Sequence, residues 1–483
     1  MPGIATDALA RDLARIVGPR WVRTRGSELV TYRADGLPTH ESTPRLVVLP
    51  GSRGEVIAIV RLLSESGSAF VARGAGTGLS GGALADTDAV LIVLTRLSKI
   101  LAIHPQKARA ILEPGVVNAR LSEAARPYGL QYVPDPSSQT ACTVGGNVAE
   151  NAGGPHCLKY GVTTNHIAAL EVVLADGSVV RLGSQSGEPW GPDLVGLFVG
   201  SEGMFGIATE ITVRLVPIPP AIHTVFADFM NLRAASEAVS AIIASGIVPA
   251  ALEMMDQSCI QAVEASIYAT GARTDAAAAL LVELDGTPET VEAEAALVEA
   301  LLRQHGARDL RSAATEAERA RLWQGRKKAF GALGRIAPDL VVQDAVVPRS
   351  ALPDTLDRIG AIRDRLGLRI SNVFHAGDGN LHPCISFDRR DRDLSERVRQ
   401  ASEEIMYACL AAGGSITGEH GVGSDKLGYM TAAFDGETLG AMCAVRLAFD
   451  PSGRANPGKV YPTHACKEWS RAGSNEASRG MTR

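Results

Sequence analysis

Residues 73–82 read Arg-Gly-Ala-Gly-Thr-Gly-Leu-Ser-Gly-Gly, directly after the strand-like segment Ala-Phe-Val-Ala. Five glycines in ten residues leave a stretch of backbone almost free of side chains, whose N–H groups can turn toward an anion. This loop constrains the fold more than any other segment, because it has to sit at a strand end where something comes close to bare backbone. No GK[ST] follows it, and no helical pattern starts in it, so it is neither a Walker loop nor a Rossmann fingerprint. By itself it could equally be a flexible turn. Two more segments change that weighting. "PDPSSQTACTVGGNVAENAGG", from Pro134 to Gly154, reads as one long loop system of small residues, hydroxyls and amides, and "GSEGMFGI", from Gly200 to Ile207, repeats the theme. Three such loops imply a large, extended, phosphate-bearing ligand rather than a small ion.

The rest of the pattern is α+β. "RLVVLPGSRGEVIAIVRLLSESG" reads as a strand, a Pro-Gly turn and a helix, and "IAALEVVLADGSVVRLG" as a hairpin turning at Asp176-Gly177. Pro219-Pro220 mark a boundary. Residues 1–44 form a helical lead-in, 45–219 a first domain that carries the glycine loops, and 220–400 a cap. The cap alternates strand and helix, predicting an antiparallel sheet with helices on one face. Residues 401–465 read as a C-terminal helical segment whose "NPGK" returns to the first domain, and 466–483 as a loose tail without apolar periodicity.

Composition excludes several classes. With 46% hydrophobic and 21% charged residues in 483, a sizeable core is expected. The formal charge of −5 argues against a nucleic-acid partner. The longest apolar runs, such as "AVLIVL", fall short of the ~20 residues of a spanning helix. The start, "MPGIATDALARDLARIVG", has no apolar signal core, so a cytoplasmic location is expected, with docking to a membrane-associated partner left open. Seven cysteines, none in CxxC, argue against an iron–sulfur cluster and read as reduced thiols packed as small hydrophobes.

The second half carries the chemistry. "FHAGDGNLHP" sets His375 and His382 seven residues apart across a turn, and "GSITGEHGVG" sets Glu419 beside His420. Two imidazoles and a carboxylate suit a divalent transition metal with open positions. On an extended strand Glu419 and His420 would face opposite sides, but flanking glycines relax that limit. "LWQGRKKAFGALGRI" offers Arg326, Lys327, Lys328 and Arg335 to an anionic substrate. A guanidinium fork suits a carboxylate, and Lys327 and Lys328 read equally well as a solvated helix face.

The ordered set RGAGTGLSGG, PDPSS, GGNVAENAGG and GSEGMFGI resembles the FAD-binding domain of vanillyl-alcohol-oxidase-type flavoproteins. With the His and Glu motifs, the chain from about residue 25 to 465 resembles the flavin subunit of bacterial glycolate oxidase, a group that includes D-lactate and D-2-hydroxyglutarate dehydrogenases. The resemblance implies a two-subdomain FAD-binding domain plus an α+β cap, and oxidation of a small 2-hydroxy acid to the 2-keto acid. By the same resemblance, Arg73, Gly74, Ala75, Gly76, Thr77, Gly78, Gly81 and Gly82 hold the pyrophosphate, and Pro134, Asp135, Ser137, Ser138, Gly145, Gly146 and Asn147 line the flavin. Asn151, Gly154, Glu202, Gly203, Ile207 and Asn456 complete the cleft. It also makes His375, His382 and Glu419 ligands of one divalent metal (zinc, manganese or iron), His420 the general base, and Arg326 and Asn380 substrate contacts. The division of ligand and base between Glu419 and His420 rests on the resemblance alone. No His or Cys lies between Arg73 and Leu84, so non-covalent FAD is expected. The implied partners are a second flavin-domain subunit and an iron–sulfur subunit, placing the chain peripherally at the inner membrane, and a homodimer is a further option. Rival readings are a D-2-hydroxyglutarate dehydrogenase, an oxygen-using oxidase, a redox-silent transferase, and a flavin-binding assembly subunit.

Overall fold

The computed structural model describes residues 6–37, 39–184 and 191–462. The loose-tail expectation for 466–483 lies outside them.

The glycine loop grows from a small, mainly parallel sheet. Strands Leu46–Val48 and Ala69–Arg73 both pair parallel with Ala89–Val93, and Val22–Arg23 adds an antiparallel edge. Helix Arg53–Glu65 makes the crossover: Ser52 caps its start by accepting from Glu55 N–H, and Val56, Ile59, Val60 and Leu63 recur at helical spacing on its buried face. A second, five-stranded antiparallel sheet runs in the order Ile100–His104, Arg109–Leu112, Ile207–Arg214, Ile167–Val173, Val179–Gly183. Its last hairpin turns at Asp176-Gly177 as expected, with Gly177 at φ +81°. The three glycine loops gather between these two sheets and form one cleft. The second loop departs from expectation. Residues Val144–Glu150 are helical, capped by the Thr143 hydroxyl, which accepts from Gly146 N–H. Two glycines in its first turn lower helix propensity and hid this helix behind a loop-like composition.

After Pro220 the chain enters strand Ala221–Phe229, the start of an all-antiparallel sheet centred on Ala278–Gly286, Ala251–Asp256 and Arg369–His375. Here the expectation of helices on one face is corrected. Helices Leu232–Ala244, Pro288–Gln304, Leu352–Leu366 and Arg392–Ala411 pack on one side, around Val225, Ala227 and Phe374. Helices Gln257–Glu264, Glu316–Lys327 and Ala329–Leu333 pack on the other, around Phe226, Leu281 and Val373. The strands are buried on both faces, so their sequences show no clean alternation of apolar and exposed polar residues. Helix Arg392–Ala411 also runs through the boundary drawn at residue 400, because Val398, Ala401, Ile405 and Cys409 pack into the cap core.

The C-terminal return is present. Ala455 bridges Phe70 in parallel, and Asn456 Nδ2 donates to the carbonyls of Gly82 and Glu202, at 2.9 and 2.5 Å. Cys142, Cys157, Cys259, Cys384 and Cys409 are free thiols, but Cys443 is disulfide-bonded, so the expectation of reduced thiols fails there. No helix among the described residues is long and apolar enough to cross a membrane.

Candidate active site

One cleft runs from the glycine loops to the cap, lined at one end by Gly74–Gly78 and at the other by Arg326, His375, His382, Glu419 and His420. Its outer wall is bare backbone for a steric reason. A Cβ on Gly74 would sit 2.3 Å from Thr143 Oγ1, and one on Gly145 2.5 Å from Pro114 Cβ. Arg73 braces the loop from beneath, its guanidinium donating to the carbonyls of Ala34 (2.7 Å) and Tyr32 (3.3 Å). Of the residues expected around the cofactor, Arg73, Gly74, Ala75, Gly76, Thr77, Gly78, Gly82, Ser137, Ser138, Gly145, Gly146, Asn147, Glu202, Gly203 and Ile207 line the cleft.

Six are not among the lining residues, and their side chains or backbone engage neighbouring protein groups. Gly81 packs against Ser424, and Gly154 against the Asp135–Pro136 backbone. Asn151, in the left-handed region at φ 52°, accepts from Thr164 N–H. The Pro134 carbonyl accepts from Asn118 Nδ2, and Asp135 turns to His156 and Lys327 at 2.9 Å each. Asn456 is taken up by its two carbonyls. All six support the wall from behind.

At the inner end the strand Arg369–His375 delivers His375, and the following turn delivers His382. His375 Nδ1 lies 2.7 Å from Glu253 Oε1, and His382 Nδ1 3.1 Å from the Gln343 carbonyl. Each Nδ1 therefore serves as a donor, and each Nε2 is left facing Glu419 Oε1, 3.1 Å away in both cases. Two ligands at ~2.1 Å from a tetrahedral metal lie about 3.4 Å apart, so the donor set fits a small divalent ion. The three ligand atoms lie within 4.8 Å of one another. Burial opposes charge on Glu419, but His375 and His382 outweigh it and hold the carboxyl well below its usual range.

Asp344, His382 and His420 form a second possible grouping, but Asp344 is already spent. Its carboxylate, 0% exposed, accepts from Thr417 Oγ1 (2.6 Å), from the N–H groups of Gly418 (3.0 Å), Glu419 (3.3 Å) and His420 (3.0 Å), and from Lys426 Nζ (3.0 Å). Three consecutive N–H groups converging on one carboxylate curl the Gly418–His420 loop, which is why Glu419 and His420 can both reach the cleft. His420 stacks on His382 at 4.9 Å with planes 7° apart. Its Nδ1 is buried without a hydrogen-bond partner, and burial pushes its pKa down to about 4.

Arg326 is 1% exposed and pairs with Glu253 at 2.5 Å, while Nε, Nη1 and Nη2 make no hydrogen bond of acceptable geometry. Ser201 Oγ and Glu150 Oε2 are likewise orphaned in the wall. Buried polar atoms without partners are costly, so the cleft is built to receive a polar ligand at both ends. Asn380 is buried against Gly418 and is not among the cleft-lining residues, so its expected substrate contact has no support in the geometry. Sequence reasoning missed Glu253, Asp344 and Lys426. The signal available was a lone charge inside an apolar run, as in "AALEMMD" and "VVQDAVV".

Residues 44–183 match the family described as FAD binding domain, and 218–460 match FAD linked oxidases, C-terminal domain. Glycine-walled cleft and antiparallel cap thus define an FAD-dependent oxidoreductase fold. Glycolate oxidase subunit GlcD of Escherichia coli (strain K12) is 47% identical over 92% of this chain and 89% of its own. The mitochondrial D-lactate dehydrogenase [cytochrome] of Arabidopsis thaliana is 31% identical over 88% and 74%. Among solved structures, p-cresol methylhydroxylase superposes with a TM-score of 0.80 at 17% identity, over 94% of this chain and 96% of that one, a likeness of fold alone. The chain belongs to the FAD-linked oxidase family that contains the GlcD subunits.

Proposed function

We propose that this protein oxidises a small 2-hydroxy acid, glycolate or D-lactate, to the 2-keto acid, using non-covalent FAD and a divalent ion held by His375, His382 and Glu419. A bound FAD supplies two-electron acceptance at the substrate's alpha carbon, and a divalent ion supplies Lewis acidity toward the substrate oxygens. The observation that carries the reading is convergence: a buried guanidinium whose N–H groups make no hydrogen bond, two Nε2 atoms and one carboxylate meet at the inner end of a glycine-walled cleft.

Arg326 holds the substrate carboxylate through its free N–H groups, fixing which face of the alpha carbon turns to the glycine-walled side. His420 takes the hydroxyl proton at Nδ1. With its pKa near 4 it is neutral at pH 7 and has a lone pair to offer. Asp344 keeps the loop carrying His420 curled, and Glu253 keeps His375 and Arg326 aimed.

Substrate size is argued from charge and volume. Among the described lining residues the cationic side chains are Arg73 and Arg326, and Arg73 is occupied by carbonyls. A dicarboxylate such as D-2-hydroxyglutarate calls for a second free cation. Phe330 lies edge-on to His382 at 6.4 Å and fills the space beside the ligand set. Both features favour a short monocarboxylate.

With no cluster-type cysteine motif in the sequence, electrons pass onward through partners. We assign these as a second flavin-domain subunit and an iron–sulfur subunit, and place the chain in the cytoplasm, peripheral to the inner membrane through them. Anaerobic mixing of holoprotein with glycolate, D-lactate, L-lactate and D-2-hydroxyglutarate, before and after chelation, tests the reading. Flavin bleaching by glycolate or D-lactate, lost on chelation, is the expected result. A fully loaded flavin that no 2-hydroxy acid bleaches overturns it.

A further inference from the structure

We propose that His156 is a positioning residue that couples the cofactor loop Pro134–Ser138 to Arg326 across the domain interface. The idea rests on the reading of Arg326 as the partner of the substrate carboxylate.

Helix Glu316–Lys327 presents two working faces. Arg319, Trp323 and Lys327, four residues apart, lie along one stripe, and each of them engages the same group of side chains. Lys327 Nζ donates to Asp135 Oδ2 (2.9 Å), and Arg319 Nε (2.9 Å) and Trp323 Nε1 (2.6 Å) donate to Glu283 Oε2. His156 sits at the centre. Its ring stacks on Trp323 at 5.4 Å with planes 29° apart, Nδ1 lies 2.9 Å from Asp135 Oδ1, and Nε2 lies 3.3 Å from Glu283 Oε1. Burial alone lowers the imidazole pKa, but the Asp135 charge and the hydrogen bonds to Asp135 and Glu283 outweigh it and raise it to about 10. Both ring N–H groups therefore donate at neutral pH.

The neighbouring stripe of the same helix carries Arg326, three residues past Trp323, which turns to Glu253 and the cleft. Asp135 immediately precedes Pro136, Ser137 and Ser138, which line the cleft. One imidazolium thus ties the Asp135 side chain, at the start of a cleft-lining loop, to the docking stripe of the helix that aims the guanidinium. A loss of that tie lets the helix shift, and an error of about 1 Å in a positioning group is enough to weaken capture of the substrate carboxylate by about tenfold.

The test uses holoenzyme. His156→Phe keeps the stack on Trp323 and leaves Asp135 with Lys327 and Glu283 with Arg319, so no buried carboxylate is stranded. The expected result is a rise of about tenfold in KM and in the dissociation constant of oxalate, read from the flavin absorption, with kcat within about twofold. Lys327→Met, which cuts the Asp135 link from the other side, is the second variant and should do the same. In the His156→Phe/Arg326→Met double variant the loss should not exceed that of Arg326→Met alone, because the first residue acts through the second. Additive losses, or an unchanged oxalate constant in both single variants while Arg326→Met loses binding, overturn the proposal. An Arg326→Met enzyme with unchanged KM refutes the reading of Arg326, and this coupling falls with it.

Discussion

Replacing Arg326 is the most direct perturbation of substrate capture, and its size follows from the surroundings. The guanidinium is 1% exposed. Truncating one partner of a buried, hydrogen-bonded charge pair costs roughly 2–5 kcal/mol. Glu253 keeps His375 at 2.7 Å but loses the guanidinium charge that faces its Oε2, so part of that cost is a stranded carboxylate, and about 4 kcal/mol is taken for Arg326→Met. At 1.36 kcal/mol per decade this is about 10³ in kcat/KM. Arg326→Lys keeps the charge but replaces the planar fork with a single ammonium, which should forfeit about half, ~2 kcal/mol or some thirtyfold. Steady-state dye reduction with glycolate and D-lactate, on enzyme matched for flavin content and melting temperature, gives both numbers. A ladder Arg > Lys > Met is expected, carried mostly in KM because the contact exists in the ground state. An Arg326→Met enzyme within fivefold of wild type would refute the reasoning.

Glu253→Gln should weaken retention of the divalent ion by about 10–100-fold, since the group that orients His375 loses its charge. Metal content after dialysis against a weak chelator checks this, and unchanged content counts against the ligand assignment. Phe330→Ala should open the space beside His382, raising kcat/KM for 2-hydroxybutyrate relative to glycolate by about tenfold per added methylene accommodated; an unchanged ratio would show that another residue sets the size limit. The His156 clasp also gives a pH signature. Its folded pKa near 10 lies above the ordinary 6.5, so its stabilisation is complete below about pH 6.5 and drains away as pH rises to 10, on the order of a few kcal/mol. Glu283, held down to about 2 by His156 and Arg319 against the opposing effect of burial, contributes stability that is present above about pH 4.5 and lost as pH falls toward 2. Melting temperature should therefore fall between pH 7 and 10 more steeply in wild type than in His156→Phe, and parallel curves would exclude the clasp as a contributor.

The features legible in the sequence were those written in local spacing. Glycine loops that must expose backbone, and two histidines bracketing a tight Asp-Gly-Asn turn, mark themselves by residue type at fixed intervals, and the structure gathers them into one cleft. Elements that depend on distant partners were not legible. Glu253, within an apolar strand, and Asp344, between two short strands, take their meaning from His375 and the Gly418–His420 loop, 122 and 74 to 76 residues away. Asp135 sits in a motif that reads as cofactor lining, but its side chain turns the other way because Lys327, 192 residues on, and His156 claim it. The helices on both faces of the cap sheet were hidden for a different reason. A strand buried on both faces shows no period-two pattern, so the apolar run does not say what covers either side.

The clamp of Asn456 on Gly82 joins residues 374 apart in the chain. At roughly 5–20 residues per second, a ribosome needs on the order of tens of seconds to make the intervening polypeptide. The glycine cradle is thus among the first parts synthesised and the last to be fastened. A nascent chain cannot make this fastening until the whole cap has been synthesised, and a truncation before residue 456 removes it.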